Sequence, residues 1–151
     1  MRSFRPRGLA PAPSLRNINA ETIRRAEEAV GKLASQYREW VRADLKKLRE
    51  AMASAAAGGE AREAAYAQVR HIAHDLRGQG TTFGYPLVTR IAQSVSHTLK
   101  ARAPNGDDDR ALAAHVEAIA AVIEGDVSDE GSIEAADIID GLQRAIGRAV
   151  A

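Results

Sequence analysis

The sequence contains no cysteine, few aromatic residues and no long apolar run. The lack of cysteine excludes disulfides, thiolate zinc sites and thiol chemistry. No apolar run approaches the roughly 20 residues of a membrane span, so we expect no membrane partner. The N-terminus lacks the apolar core of a secretory signal, which makes the cytoplasm the expected location. The net charge is only +1, from 21 basic and 20 acidic residues, so the chain lacks the overall positive field of a nucleic-acid-binding protein.

The composition favours an all-α fold. Hydrophobic residues make up 45% of the chain but aromatic residues only 4%, whereas strands depend on aromatic and β-branched side chains. A length of 151 residues fits one domain. Residues 1–18 contain four arginines, three prolines and no acid, so we interpret them as a flexible basic tail. Residues 19–151 then form a single helical domain.

Apolar residues recur at spacings of three and four in five segments, which predicts five amphipathic helices. Helix 1 follows an N-cap at Asn19, helices 2 to 4 cover about 60–82, 87–102 and 109–124, and Ser132 caps helix 5. Short loops between them predict an antiparallel four-helix bundle with a long N-terminal helix. We expect a monomer, with a dimer through helix 1 as the alternative. The apolar stripe of helix 1 comprises Ile23, Ala26, Val30, Leu33, Tyr37, Trp40, Val41, Leu45, Leu48 and Met52.

The segment 74–84, HDLRGQGTTFG, carries the clearest functional signal. Arg77 and Gly78 follow His74 by three and four residues, so the three share one helix face. This face also holds Arg70, His71 and Thr81. A histidine that meets a phosphoryl group on another protein needs a nearby cation and backbone that the partner can approach closely. The apolar stripe of helix 2 excludes this face, so we expect His74 to be exposed.

Leu76, Phe83 and Gly84 complete a pattern at positions +2, +9 and +10 from His74. The segment resembles the signature of histidine-containing phosphotransfer (HPt) domains, H-x-L-[KR]-G with a hydrophobic residue and a glycine near +9 and +10. The resemblance implies a helical bundle that relays phosphoryl groups in two-component signalling. His74 would accept the group from an aspartate of one receiver domain and pass it to another receiver domain.

The same resemblance assigns roles and partners. Arg77 and Arg70 would stabilise the phosphate, and Gly78 and Thr81 would let the partner approach. Ser96, at +22, and Gln93 are the candidates for holding the second ring nitrogen of His74, although the family usually has Gln or Glu there. The partners would be response-regulator receiver domains and a hybrid or sensor histidine kinase. No cofactor is expected in this chain, since the receiver would bring Mg²⁺. An apolar docking rim is expected from Thr81, Phe83, Tyr85 and Val88 or Leu87, although a core position is favoured for Phe83.

Several other interpretations remain open. The residues HDLR also resemble the H-box of sensor histidine kinases, but Gly78-Gln79 break that pattern and no nucleotide-binding region follows, so the chain is not expected to be an autokinase. His71 lacks a cation and a glycine at +3 and +4, and with His74 and Asp75 it makes a poor metal chelate, so no metal is expected. His97 and His115 are expected at surface or boundary positions. The alternative functions are a non-phosphorylated helical adaptor and, against the near-neutral charge, a nucleic-acid binder using the basic tail.

Overall fold

The structure is a computed structural model that describes residues 19–101 and 107–151. These residues form five α-helices and no strand, which confirms the all-α prediction. The predicted tail over 1–18 and the turn at 104–106 lie outside the described residues. The helices are α1 (Ala20–Ala55), α2 (Gly59–Gln79), α3 (Pro86–Lys100), α4 (Asp107–Glu124) and α5 (Ile133–Ile146).

The chain divides into two units, Met1–Leu33 and Ala34–Ala151. In the first unit, the backbone N–H of Thr22 donates to Asn19 Oδ1 at 2.8 Å, which confirms the predicted N-cap of α1. Ile23, Val30 and Leu33 are 48%, 65% and 51% exposed. The 3–4 spacing of these residues therefore marks an amphipathic helix whose apolar side chains are not buried here.

The second unit contains the bundle core. α2 packs against α3, α3 against α4 and α4 against α5. Residues of α1 from Tyr37 onward also enter the core. Two exposed ion pairs join α1 to α4, Arg42 with Glu124 at 3.2 Å and Arg49 with Glu117 at 3.1 Å. Arg49 lies seven residues after Arg42 on α1, whereas its partner Glu117 lies seven residues before Glu124 on α4. These two helices are therefore antiparallel.

The α2–α3 hairpin is closed by Gly80 and Thr89. A Cβ on Gly80 would lie 2.5 Å from Thr89 Oγ1 and 2.8 Å from Thr89 N, so only glycine allows this approach. The Thr89 hydroxyl accepts from the backbone N–H of Thr81 at 2.9 Å and donates to the carbonyl of Arg77 at 3.2 Å. These contacts end α2 at Gln79, three residues before the predicted end, and Gly84 turns the chain with φ +91°.

His115 of α4 is fully buried, so the prediction of a surface or boundary position is wrong. Its Nδ1 donates to the carbonyl of Ala111 at 2.6 Å and its Nε2 accepts from the Ser94 hydroxyl at 2.7 Å. Burial lowers the pKa of His115 to about 4, which keeps the ring neutral at pH 7 and fits this pair of hydrogen bonds. His97 is exposed, as predicted.

The observed start of α5 agrees with the prediction, whereas that of α4 differs from it. Ser132 Oγ accepts from the N–H of Ala135 at 3.1 Å, which confirms the predicted cap of α5. α4 begins at Asp107, two residues before the predicted start. Near this start, the Asp109 carboxylate joins α4 to α2, because it accepts from the Tyr66 hydroxyl and from Arg62 Nη2.

Candidate functional site

α2 separates an apolar face from a polar one. Its buried residues are Ala65, Tyr66, Val69, Ile72, Ala73 and Leu76. Arg70, His74, Arg77 and Gly78 are all exposed and share the opposite side; we call these four residues the His74 face. The exposure predicted for His74 is confirmed. Within the described part of the chain, the His74 ring makes no hydrogen bond or ion pair, so both ring nitrogens are accessible to a partner.

The two arginines of the His74 face have no ionic partner in the described part of the chain. Neither the Arg70 nor the Arg77 guanidinium makes a hydrogen bond or an ion pair with the residues that the structure describes. They lie four residues before and three residues after His74 on the helix, so both lie about one turn from the imidazole. Guanidinium groups bind phosphate oxygens through paired N–H donors. The His74 face can therefore receive an anion next to the histidine.

His71 differs from His74 in having an acidic neighbour. His71 Nε2 lies 3.7 Å from Asp75 Oδ2. Burial raises the pKa of Asp44 on α1, and the negative charge of Asp75 adds to this shift while Lys47 opposes it. An anion near His71 would meet these carboxylates, whereas His74 has Arg70 and Arg77 on its side of the helix. Among the described residues, no group of three or more His, Cys, Asp or Glu could hold a metal ion.

Gly78 and Gly80 serve different purposes although they are two residues apart. A Cβ on Gly78 would meet no heavy atom within 4 Å, so packing gives no reason for glycine at this position. Gly80 is buried against Thr89, where the missing side chain allows the close packing of the α2–α3 hairpin. A mid-helix glycine costs roughly 1 kcal/mol relative to alanine. The bare backbone at Gly78 is thus an exposed, sterically open position one turn from His74.

Aromatic residues surround the end of α2, but not as predicted. Tyr85, Leu87 and Val88 are at most 2% exposed, so their assignment to a docking rim is wrong. They are buried because the turn after Gly84 directs them into the core. Phe83 is half-buried and stacks on Tyr37 with ring centroids 4.8 Å apart. Thr81 remains exposed, as expected.

Trp40 of α1 belongs to the predicted apolar stripe of helix 1, but it is an exposed aromatic residue. The residue is 46% exposed, and its ring meets the Phe83 ring edge-on with centroids 5.9 Å apart. Trp40 and Val41 are adjacent in sequence and point about 100° apart on a helix. Since Val41 is fully buried, this spacing could have placed Trp40 at the edge of the core.

A hydrogen-bonded network fixes the α2–α3 turn to its surroundings. The buried Tyr85 hydroxyl donates to Asp126 Oδ1 at 2.5 Å and accepts from Arg38 Nη1 at 2.6 Å. Burial is the main cause of the raised pKa of Tyr85, and the bond to Asp126 adds to it. The network joins α1, the turn and the loop after α4, so the segment that follows the His74 face has a defined position.

Neither candidate for orienting His74 is hydrogen-bonded to it among the residues that the structure describes. Gln93 is exposed and lines a small cavity with Arg90, and the Ser96 hydroxyl donates to the carbonyl of Ala92 at 3.4 Å. No hydrogen bond joins either residue to His74 within the described residues. Their proposed role stays a prediction for the complex with a partner.

Comparison with known proteins gave one finding. The model of the Hpt domain family matches residues 32–129, which is about two thirds of the chain and includes the His74 face. A search of curated proteins and a search of solved structures found no match. None of the described helices combines the length and apolar character that a membrane span requires.

Proposed function

The chain belongs to the Hpt domain family, whose members carry out histidine phosphotransfer in phosphorelays, and from this premise we propose that His74 is the residue that carries the phosphoryl group. In this proposal His74 accepts the group from the aspartyl phosphate of one receiver domain and passes it to an aspartate of a second receiver domain. The partners are therefore response-regulator receiver domains, at least one of them in a hybrid or sensor histidine kinase system.

The observation that carries the proposal is the composition of the His74 face. An exposed imidazole lies between two guanidinium groups that have no partner among the described residues, and beside a glycine whose Cβ position is open. A glycine in the middle of α2 weakens the helix, so a purely structural role of this surface does not explain Gly78. A partner backbone that must come within bonding distance of His74 explains it.

The transfer step requires a neutral His74 with its proton on Nδ1. The Nε2 lone pair attacks phosphorus, an N–P bond forms, and the P–O bond to the receiver aspartate breaks. The aspartate leaves as a carboxylate. In the second transfer a carboxylate oxygen of the next receiver attacks phosphorus, the N–P bond breaks, and His74 leaves as a neutral imidazole that has kept its Nδ1 proton throughout. The receiver supplies Mg²⁺ and most of the charge stabilisation, while α2 supplies positioning. Arg77, with Arg70 on the other side, offsets the phosphate charge.

The receiver contact area extends from the His74 face to Thr81 and Trp40. Both side chains are exposed, and Trp40 packs on Phe83 at the end of α2. Aromatic side chains partly exposed next to a charged site are typical anchors of protein interfaces. Trp40 thus takes the place of the predicted apolar rim residues that the fold buries.

Incubation of the protein with a receiver domain carrying radiolabelled aspartyl phosphate tests the proposal. The wild type is expected to acquire a label that is labile in acid and stable in alkali, as phosphohistidine is. His74→Gln should remove the label, while His71→Gln, a change of the same kind one turn away, should keep it. Both histidines are exposed, so both variants should unfold within roughly 0.5 kcal/mol of the wild type.

A wild-type protein that binds the receiver but never acquires label would contradict the proposal. That result would support the alternative, a helical adaptor in which His74 has no chemical role. Label that persists in His74→Gln and disappears in His71→Gln would place the chemistry one turn earlier on α2.

A further inference from the structure

A second cationic site lies in a cavity among the last three helices. The cavity has a volume of about 390 Å³ and is lined by the end of α3, the start of α4 and the end of α5. Its described lining residues include three arginines, Arg110, Arg144 and Arg148. No described residue of α1 or α2 contributes to it, so it is separate from the His74 face. We call it the arginine cavity.

Among the residues that the structure describes, the lining of the arginine cavity carries more positive than negative charge. Arg110 and Arg144 are exposed, and their guanidinium groups make no hydrogen bond or ion pair with any described residue. Among the described lining residues, Asp108 is the only carboxylate. Three guanidinium groups against one carboxylate leave an excess of positive charge at neutral pH.

Arg148 is held in place by neutral groups of α3. Its Nη2 donates to the carbonyl of Ser94 at 2.9 Å and to Thr98 Oγ1 at 2.6 Å. Burial lowers the pKa of Arg148, which reflects the cost of holding this charge half-buried without a carboxylate partner. A bound anion would offset that cost, and the contacts to α3 fix the guanidinium before any ligand arrives.

We propose that the arginine cavity binds a small anion that carries two or more linked phosphate groups. Guanidinium groups match phosphate oxygens with paired N–H donors, and three of them around one cavity suit a multiply charged ligand. The volume lies within the range of small-molecule sites. The lining contains Ala101, Ala111, Ala145 and Gly147 but no aromatic side chain among its described residues. The cavity would therefore recognise the phosphate groups of the ligand and not an aromatic ring stacked on a side chain.

Titration of the full chain with inorganic tripolyphosphate, followed by isothermal calorimetry and by amide chemical shifts, tests the proposal. The wild type should bind, and the largest shifts should fall at residues of the cavity such as Ala111, Ala145 and Gly147. Arg110→Gln and Arg144→Gln should each weaken binding about tenfold, since each removes a charge-assisted hydrogen bond. Lys46→Gln, which removes one exposed charge from α1, should leave the affinity unchanged.

Several outcomes would overturn the proposal. No binding by the wild type would do so, as would equal weakening by Lys46→Gln, which would show a response to net charge alone. Shifts that cluster around Arg70 and Arg77 would place the anion on the His74 face. Equal affinity for citrate would contradict the assignment to phosphates. The proposal for the arginine cavity does not depend on phosphate transfer to His74. His74→Gln is expected to bind tripolyphosphate in the cavity as the wild type does.

Discussion

Replacement of Gly78 by alanine should raise stability and slow phosphotransfer at the same time. A Cβ at this position meets no heavy atom within 4 Å, so the methyl group introduces no clash. Alanine gains about 1 kcal/mol of intrinsic helix propensity over glycine. For a chain of 151 residues, this gain corresponds to a rise of roughly 3 °C in melting temperature.

The same side chain would stand between His74 and the receiver. A displacement of about 1 Å between reacting groups can cost on the order of a hundredfold in rate. Gly78→Ala should therefore transfer more slowly than the wild type, and Gly78→Gln more slowly still. The assay is the rate of label transfer from a phosphorylated receiver, measured beside thermal unfolding for all three proteins.

Gly80→Ala is the matched control. Its Cβ would lie 2.8 Å from Thr89 N and 2.9 Å from Tyr85 O, and these backbone atoms cannot move cheaply. It should lower the free energy of unfolding by about 1–3 kcal/mol, the opposite of Gly78→Ala. Wild-type transfer rates in both Gly78 variants would refute the assignment of this face to the partner.

Three further predictions concern single side chains. Arg77→Gln should slow phosphotransfer, and the difference from wild type should shrink as salt is added, while the free energy of unfolding changes by no more than about 0.5 kcal/mol. Because burial lowers the pKa of His115 to about 4 from an ordinary 6.5, the unfolded state binds a proton first as the pH falls. Chemical denaturation should therefore show a contribution to the free energy of unfolding that is present above pH 6.5 and declines by roughly 3 kcal/mol toward pH 4. The variant His115→Gln should lack this part of the pH dependence. Tyr85→Phe should lose about 1 kcal/mol of unfolding free energy in urea titrations, since it removes the hydroxyl shared by Arg38 and Asp126.

Local signals in the sequence predicted much of the fold. Asn19 and Ser132 act as N-caps because their side-chain oxygens accept from a backbone N–H of the first helical turn. The 3.6-residue period of α2 correctly left His74, Arg77 and Gly78 outside the core. These features depend on the residue and its near neighbours, and so they can be read without the tertiary structure.

Features that depend on another helix were predicted less well. The expected position of His115 is at the surface or boundary, yet the run Leu112, His115, Val116 and Ile119 has helical spacing and is buried throughout. Its burial depends on Ser94 of α3 to satisfy Nε2, a partner that the sequence does not reveal. Ile23 belongs to a regular apolar stripe, but periodicity does not say whether anything covers it.

The most direct measurement of the central claim is the position of the phosphoryl group on the chain. Arg70 and Arg77 are trypsin sites, so digestion of the labelled protein at neutral or alkaline pH releases the peptide 71–77, which contains both candidate histidines. Tandem mass spectrometry of this peptide should find the phosphoryl group on His74. A phosphoryl group on His71, or an unmodified peptide 71–77 from protein that carries label elsewhere, would contradict the account.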